Sequence, residues 1–144
     1  MNANIRRATI LASVFIAASV VFANDARAEE PKSAALVASL LSKDLTGIPG
    51  KEAVMLTVEY PPGGSSAAHR HDAHVFVYVL AGSLRMQVDG EPAVTLTTGD
   101  TFYENPEDVH RVSANASDTQ PVKFLVVMIK DKGKPSTRPV EQAP

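Results

Sequence analysis

From residue 52 onward, the sequence consists of short segments in which apolar and polar residues alternate. In residues 52–60, one face is shared by Val54, Leu56, Val58 and Tyr60, because side chains two apart on a strand project to the same side. Similar β-type runs follow, at residues 75–80, 83–89, 93–97, 101–104, 110–113 and 122–130. Turn residues separate the runs, and Asp89-Gly90 is a strong hairpin pair. Many short strands at close spacing predict an all-β sandwich or barrel.

The regions on either side of this pattern differ from it. In residues 33–42, Leu36, Leu40 and Leu41 recur at helical intervals, which predicts a short N-terminal amphipathic helix. Residues 29–49 are therefore interpreted as a helix and linker, with a turn at 46–50. Residues 131–144 show no apolar periodicity, and we expect a flexible C-terminal tail there.

Residues 1–28 have the layout of a secretory signal peptide. Arg6 and Arg7 precede an apolar run at 8–23, and Ala26-Arg27-Ala28 forms an A-x-A cleavage signal. The run is shorter than the roughly 20 residues that a membrane-spanning helix needs. A membrane anchor is thus the less favoured alternative. We expect a periplasmic or secreted protein that does not associate with a membrane after cleavage.

Composition excludes several classes of function. The sequence contains no cysteine, which excludes disulfides and thiolate chemistry. Its net charge is −2 at pH 7, and it has no basic stripe or aromatic platform, so we expect no nucleic-acid partner. An exported domain without disulfides depends on packing, with a metal ion or a partner subunit as further sources of stability.

Three of the four histidines fall within the six residues HRHDAH, at positions 69–74. His69 and His71 are two apart, so on a strand both imidazoles would project from one face and chelate one ion. His110 lies on a later strand that a closed sheet would bring opposite them. Imidazole suits zinc, copper, iron and nickel. The alternative interpretation is an exposed polar loop without a ligand.

Two longer stretches carry a family resemblance. The sequences GGSSAAHRHDAHVFVYVLAG and GDTFYENPEDVHRVSAN resemble the two motifs of the cupin superfamily, G-x5-H-x-H-x3-E-x6-G and G-x5-P-x-G-x2-H-x3-N. The matching positions are Gly63, His69, His71 and Gly82 in the first motif, and Gly99 and His110 in the second. The resemblance covers residues 50–130. It implies a double-stranded β-helix, which is a jelly-roll barrel, with His69, His71 and His110 as metal ligands.

The sequence departs from both motifs. Val75 stands where the family has its glutamate ligand, and valine cannot bind a metal. In the second motif, Asn105 replaces the usual proline, Glu107 the glycine and Ala114 the asparagine. The fourth metal ligand is therefore missing from its usual place.

Two residues are candidates for that ligand, or for the proton acceptor. His74 would enter the site if Asp72-Ala73 formed a β-bulge and shifted the phase of the strand by one residue. Glu104 lies on the strand that leads to His110. If it faced inward, its buried carboxylate would require a partner such as a metal ion. An outward Glu104 at the rim of the barrel, with water completing the coordination, is the other interpretation.

The resemblance implies a small metal-binding cupin, similar to the single-domain quercetin-dioxygenase-like group, with a divalent Fe, Mn, Ni or Zn ion and a small oxygen-containing ligand. A dioxygenase-like oxidoreductase is the first hypothesis. A non-catalytic binding or sensor module, which the loss of the glutamate would suit, is the second, and an isomerase or lyase is the third. Cupins commonly dimerise through edge strands, and the apolar run 124–129 indicates a homodimer.

Overall fold

The structure, a computed structural model, describes residues 35–140, which form eleven β-strands and no helix. The strands are β1 (Leu36–Asp44), β2 (Lys51–Tyr60), β3 (Ser65–Ser66), β4 (His69–Arg70), β5 (Ala73–Ala81), β6 (Ser83–Val88), β7 (Val94–Thr97), β8 (Thr101–Glu104), β9 (Val109–Asn115), β10 (Val122–Asp131) and β11 (Arg138–Pro139). Each alternating segment predicted from the sequence coincides with a strand to within two residues. The turn expected at 46–50 is also present.

The strands build two antiparallel sheets. The first sheet has the order β1-β2-β10-β5-β8, and the second has the order β11-β4-β9-β6-β7, with β3 also paired to β9. Neighbours in each sheet are mostly distant in sequence, as in a jelly roll. The all-β double-stranded β-helix predicted from the sequence is therefore confirmed.

The core lies between the two sheets and follows from the period-two pattern of the strands. In β5, Val75, Val77 and Val79 are buried, while the intervening Phe76 and Tyr78 are exposed. The same alternation in β10 buries a second row, Val122, Phe124, Val126 and Met128. The interior beside the histidines is thus walled by aliphatic and aromatic side chains.

Gly82 joins β5 to β6 across a tight approach of two chain segments. Its φ is +80°, and a Cβ at this position would lie 2.5 Å from the carbonyl oxygen of Pro121. Only glycine avoids both the strain and the clash. The glycine of the first cupin motif therefore has a physical reason in this chain.

The helix predicted at residues 33–42 is wrong where the structure describes it. Leu36–Asp44 is β1, which pairs antiparallel with β2 from Leu36 opposite Glu59 to Asp44 opposite Glu52. Every residue of β1 is exposed, so burial of an apolar stripe does not decide its conformation. The hairpin turn at 45–50 places the segment beside an open strand, and the backbone ladder then overrides a modest helical preference.

The flexible tail expected at 131–144 is also wrong for residues 131–140. This segment folds back, and Arg138 and Pro139 pair with Arg70 and His69. Arg138 also forms an ion pair with Asp72. Residues 141–144, Ser33 and the proposed signal peptide 1–28 lie outside the described residues.

The run 124–129 belongs to β10, which lies between β2 and β5 and is not an edge strand. Leu125 and Val127 are half-buried on the outer face of the first sheet. The homodimer therefore remains a prediction, and pairing through this strand is not available to it. Residues 35–140 contain no helix with the length and apolar character needed to cross a membrane.

A strained turn precedes β9. The Asp108 N–H donates to the Asn105 carbonyl over 3.2 Å, with Pro106 and Glu107 between them. Glu107 has φ +72° and is the sole non-glycine residue with positive φ among the described residues. This is the position of a β-turn that favours glycine, and it is also where the cupin motif has its glycine. The Glu107 N–H donates to the His71 carbonyl, so the turn supports the histidine cluster.

We expect Glu107→Gly to increase the free energy of unfolding by about 0.5–1 kcal/mol, because relief of the left-handed strain exceeds the added entropy of the unfolded chain. Glu107→Ala is the matched control, since it removes the same exposed side chain and keeps the strain. Urea denaturation of both variants measures the difference. Equal stabilities of the two would show that the turn is not strained.

Candidate metal centre

Strand pairing brings His69 and His110 together. His69 on β4 is directly opposite His110 on β9, and the two ring centroids are 5.0 Å apart. The ring of His71, which follows β4, is 4.8 Å from that of His69. One ring nitrogen from each of the three residues lies within 4.8 Å of the other two. The histidine constellation predicted from the sequence therefore forms a cluster that could hold a metal ion.

A β-bulge sets the direction of the His110 ring. Val88 and Gln87 on β6 are opposite His110 and Val112, so Arg111 is an extra residue on β9. The bulge shifts the alternation by one residue, and as a result both His110 and Ser113 face the interior.

Backbone carbonyls fix two of the three imidazoles. Nδ1 of His71 donates to the Ser136 carbonyl over 2.5 Å, and Nδ1 of His69 donates to the Ala67 carbonyl over 2.8 Å. A carbonyl can only accept, so Nδ1 carries the proton and Nε2 keeps its lone pair. This is the arrangement in which Nε2 serves as a metal ligand.

Glu104 faces the cluster and is 1% exposed. Its Oε1 lies 3.3 Å from Nδ1 of His110, and its Oε2 lies 3.9 Å from Nε2 of His71. On β8 it is directly opposite Val75 of β5. The neighbouring strand thus supplies a carboxylate beside the position from which the family glutamate is missing. Of the two predicted orientations of Glu104, the structure has the inward one.

His74 does not reach the cluster. It is exposed on the outer face of β5, where Nδ1 lies 2.6 Å from the Tyr103 hydroxyl. Ala73 and His74 pair with Lys130 and Ile129 in regular register, without the bulge that an inward His74 requires. The hypothesis that His74 is the fourth ligand or the proton acceptor is therefore wrong.

Several polar atoms of the cluster are buried without a hydrogen-bond partner. Oε2 of Glu104 and both ring nitrogens of His110 are buried and have no hydrogen-bond partner within residues 35–140. Burial, with a smaller contribution from the charge of Asp108, raises the pKa of Glu104 to about 7. Burial, with the nearby His69 and His71, lowers the pKa of His110 to about 3. Burial likewise lowers the pKa of His71.

These observations test whether a metal ion suits the residues. Unprotonated imidazoles and a carboxylate converge on one buried point, and the group they lack is a cation. A divalent ion that accepts nitrogen and oxygen ligands fits this set. His69, His71 and His110 would hold it, with Glu104 as fourth ligand or as partner of the His110 ring.

The cluster opens into a cavity of about 690 Å³ between the sheets. Aliphatic, aromatic and methionine side chains form most of its wall. These wall residues include Val75, Val77, Met86, Phe124, Val126 and Met128. Ala35, Val37 of β1, Ser136, Thr137 and Pro139 also border it. An apolar wall of this kind excludes water from a bound ion.

From the sequence, no role in the site was predicted for three hydroxyl residues of the cavity or for the carbonyl of Ser136. Ser66, Tyr60 and Ser113 line the cavity. Tyr60 shares the phase of Val54, Leu56 and Val58, so its inward direction was readable from the alternation. Ser113 was not, because the bulge at Arg111 is not visible in the sequence. Ser136 falls in the segment that was expected to be flexible.

Comparison with known proteins defines the class. The cupin domain family matches residues 56–128. The chain therefore belongs to the cupin family. No curated protein matches the chain.

Solved structures share the fold. A cupin-like protein of Thermotoga maritima is 21% identical with a TM-score of 0.59, and the match covers 74% of this chain and 75% of that one. A double-stranded β-helix protein of Klebsiella pneumoniae is 18% identical with a TM-score of 0.58, over 74% and 85% of the two chains. The DMSP lyase DddQ of Ruegeria pomeroyi is 23% identical with a TM-score of 0.52, over 58% of this chain and 41% of the lyase. The chain thus spans about two fifths of that lyase.

Glu104→Gln is expected to weaken zinc binding by about 10–100-fold, because the change removes the carboxylate charge from the cluster. The exchange Val75→Glu with Glu104→Val returns the carboxylate to the position of the family motif and should recover most of the affinity. Competition with a chromophoric chelator measures both. Wild-type affinity in the Glu104→Gln protein would assign Glu104 to packing alone.

The metal-free proteins supply the control for misfolding. The raised pKa of Glu104 means that the protonated acid stabilises the fold below its ordinary value of 4.5, and that this contribution is lost as the pH rises through about 7. At pH 8, metal-free Glu104→Gln should exceed wild type in stability by on the order of 3 kcal/mol, and near pH 4 the two should agree. A variant that loses zinc while it gains stability has lost a ligand and not its fold.

Proposed function

We propose that this protein is a metal-dependent cupin enzyme with dioxygenase-like oxidoreductase activity on a small oxygen-containing molecule. The observation that supports the proposal is the convergence of three imidazoles and the Glu104 carboxylate at a cavity with apolar walls, where Oε2 of Glu104 and the His110 ring have no hydrogen-bond partner among the described residues. A structural histidine cluster would have its ring nitrogens paired, whereas both nitrogens of His110 lack a partner among the described residues.

Each part of the site has a role in this proposal. A divalent ion, with Fe, Mn, Ni and Zn as the candidates, supplies Lewis acidity and, for Fe or Mn, electron transfer. His69, His71 and His110 hold the ion. Glu104 holds or accepts a proton at its carboxylate, and its pKa of about 7 is suited to that exchange near neutral pH. Val75 and Val77 keep water from the reacting groups.

A lyase is the second candidate. Two solved structures that share the fold are described as DMSP lyases, at 23% and 19% identity. A buried carboxylate with a raised pKa is also the base that an elimination needs. The non-catalytic binding module is less favoured, because its basis was the missing glutamate, and Glu104 lies opposite that position.

Cobalt loading tests the metal site. We expect one Co(II) per chain in the wild-type protein, and a visible spectrum that changes on addition of azide because a position on the ion is open. His69→Ala/His71→Ala should bind no cobalt. His74→Ala is the matched control and should behave as wild type. Cobalt retained by the double variant would refute the site, and a spectrum unaffected by azide would favour the binding module.

The reaction class is tested with iron-loaded protein in an oxygen electrode, with a panel of small phenols and hydroxy ketones. Oxygen uptake that matches substrate loss is the expected result. Substrate loss without oxygen uptake would replace the oxidoreductase by a lyase, and no loss of any substrate would favour binding alone.

We further propose that the protein is exported after cleavage behind Ala28. Arg6 and Arg7, the apolar run 8–23 and the A-x-A signal support this. Mass spectrometry of protein from the cell envelope fraction of its host should give a mature chain that begins at Glu29. A chain that retains residues 1–28 would contradict export by cleavage.

A further inference from the structure

The cavity contains a second polar group that the metal centre does not use. The Tyr60 and Ser113 hydroxyl oxygens are 2.8 Å apart and form a buried hydrogen bond. The two residues are 3% and 4% exposed. Ser66 is paired with Ser113 in the strand ladder, and its buried Oγ has no hydrogen-bond partner among the described residues. We call these three residues the hydroxyl cluster.

The hydroxyl cluster and the histidines share one cavity. Because of the bulge at Arg111, His110 and Ser113 are opposite Val88 and Met86, which are two residues apart on β6. Two residues of a strand span roughly 7 Å, about the width of a substituted six-membered ring. A small ligand that reached the metal centre would therefore also reach the hydroxyl cluster.

The hydroxyl cluster has unused hydrogen-bonding capacity. Each hydroxyl has one proton to donate and two lone pairs. The bond between Tyr60 and Ser113 uses one of their two protons, whichever residue donates it. One proton of that pair and the proton of Ser66 are left to donate, and lone pairs are left to accept.

Charge restricts what the hydroxyl cluster can bind. No lysine or arginine is among the cavity-lining side chains of residues 35–140, and the acidic residue that lines it is Glu104. A carboxylate or phosphate beside the hydroxyl cluster would be buried without a counter-charge, which is costly. A hydroxyl, carbonyl or ether oxygen carries no such cost and finds donors and acceptors in place.

We propose that Tyr60, Ser113 and Ser66 form a recognition subsite for an uncharged oxygen group, and that the ligand is a small, mainly apolar, neutral molecule. One oxygen group of the ligand faces the metal centre, and the second lies roughly 7 Å away at the hydroxyl cluster. The inference rests on the proposed function, since it takes the histidine cluster as the other point of attachment.

Calorimetry with zinc-loaded protein tests this, because zinc is redox-inert and the probes are not consumed. The probes share a catechol head and differ at the far end, namely 4-(hydroxymethyl)catechol, 4-methylcatechol and 3,4-dihydroxybenzoate. We expect the hydroxymethyl probe to bind about 5-fold more tightly than the methyl probe, the value of one hydrogen bond. The carboxylate probe should bind at least about 10-fold more weakly than the hydroxymethyl probe.

Variants assign the effect to residues. Tyr60→Phe keeps the ring, whose centroid is 5.5 Å from that of Phe124, and removes the hydroxyl. Tyr60→Phe/Ser113→Ala should reduce the 5-fold preference, the further change Ser66→Ala should abolish it, and the zinc content should be unchanged in both variants. Tyr78→Phe is the matched control, since Tyr78 is 45% exposed on the outer face of β5. It should keep the preference.

The outcomes separate this inference from the proposed function. Equal binding of the three probes, binding of none of them to zinc-loaded protein, or a preference that survives in Tyr60→Phe/Ser113→Ala/Ser66→Ala would overturn the inference. A wild-type protein that binds no zinc would be a failure of the proposed function instead. In that case, NMR titration of the metal-free protein with benzyl alcohol and toluene decides the inference. The supporting result is tighter binding of benzyl alcohol that is abolished in the triple variant.

Discussion

The pairing of His69 with His110 across β4 and β9 is the contact on which the site depends. The two residues are 41 positions apart in the sequence, and the backbone hydrogen bonds between the strands set the distance between their imidazoles. Every other feature of the site is arranged around that pair. His71 lies directly after β4, and Glu104 lies on β8, the strand beside β5. The carbonyls of Ala67 and Ser136 accept hydrogen bonds from Nδ1 of His69 and His71 and so determine the tautomers of these two rings. The result is that one ring nitrogen from each of the three histidines and the Glu104 carboxylate lie close together in an apolar interior.

Such a set is a cost to the protein by itself. Oε2 of the buried Glu104 carboxylate has no hydrogen-bond partner among the described residues, and burial raises the pKa of this group to about 7. Natural chains retain unsatisfied buried groups of this kind mainly where they serve a function. The location of the carboxylate is informative in the same way. Val75 occupies the position of the family glutamate, and Glu104 lies directly opposite it on the neighbouring strand. The carboxylate has therefore moved to the adjacent strand and is still beside the histidines.

The sequence was sufficient for the strands and for the three histidines, because both follow from spacing. Alternation with a period of two identifies the inward face of β5 and β10, and the register of the cupin motifs identifies His69, His71 and His110. The sequence was insufficient where the pairing of distant strands determines the direction of a side chain or the conformation of a segment. The direction of Glu104 depends on β8 lying beside β5, and Ser113 faces inward only because Arg111 is an extra residue. The apolar spacing of Leu36, Leu40 and Leu41 predicted a helix, but the neighbouring hairpin makes that segment a strand.

The hydrogen bond from His71 to the Ser136 carbonyl joins residues 65 positions apart. The ring is therefore oriented only when Arg138 and Pro139 have paired with β4, which brings the Ser136 carbonyl to it. A shorter chain that ended before residue 136 would present His69 and His71 without that restraint. It follows that an ion would be selected by the finished fold, with its fixed tautomers and apolar wall, and not by the nascent polypeptide, where flexible imidazoles would accept whichever ion is most abundant.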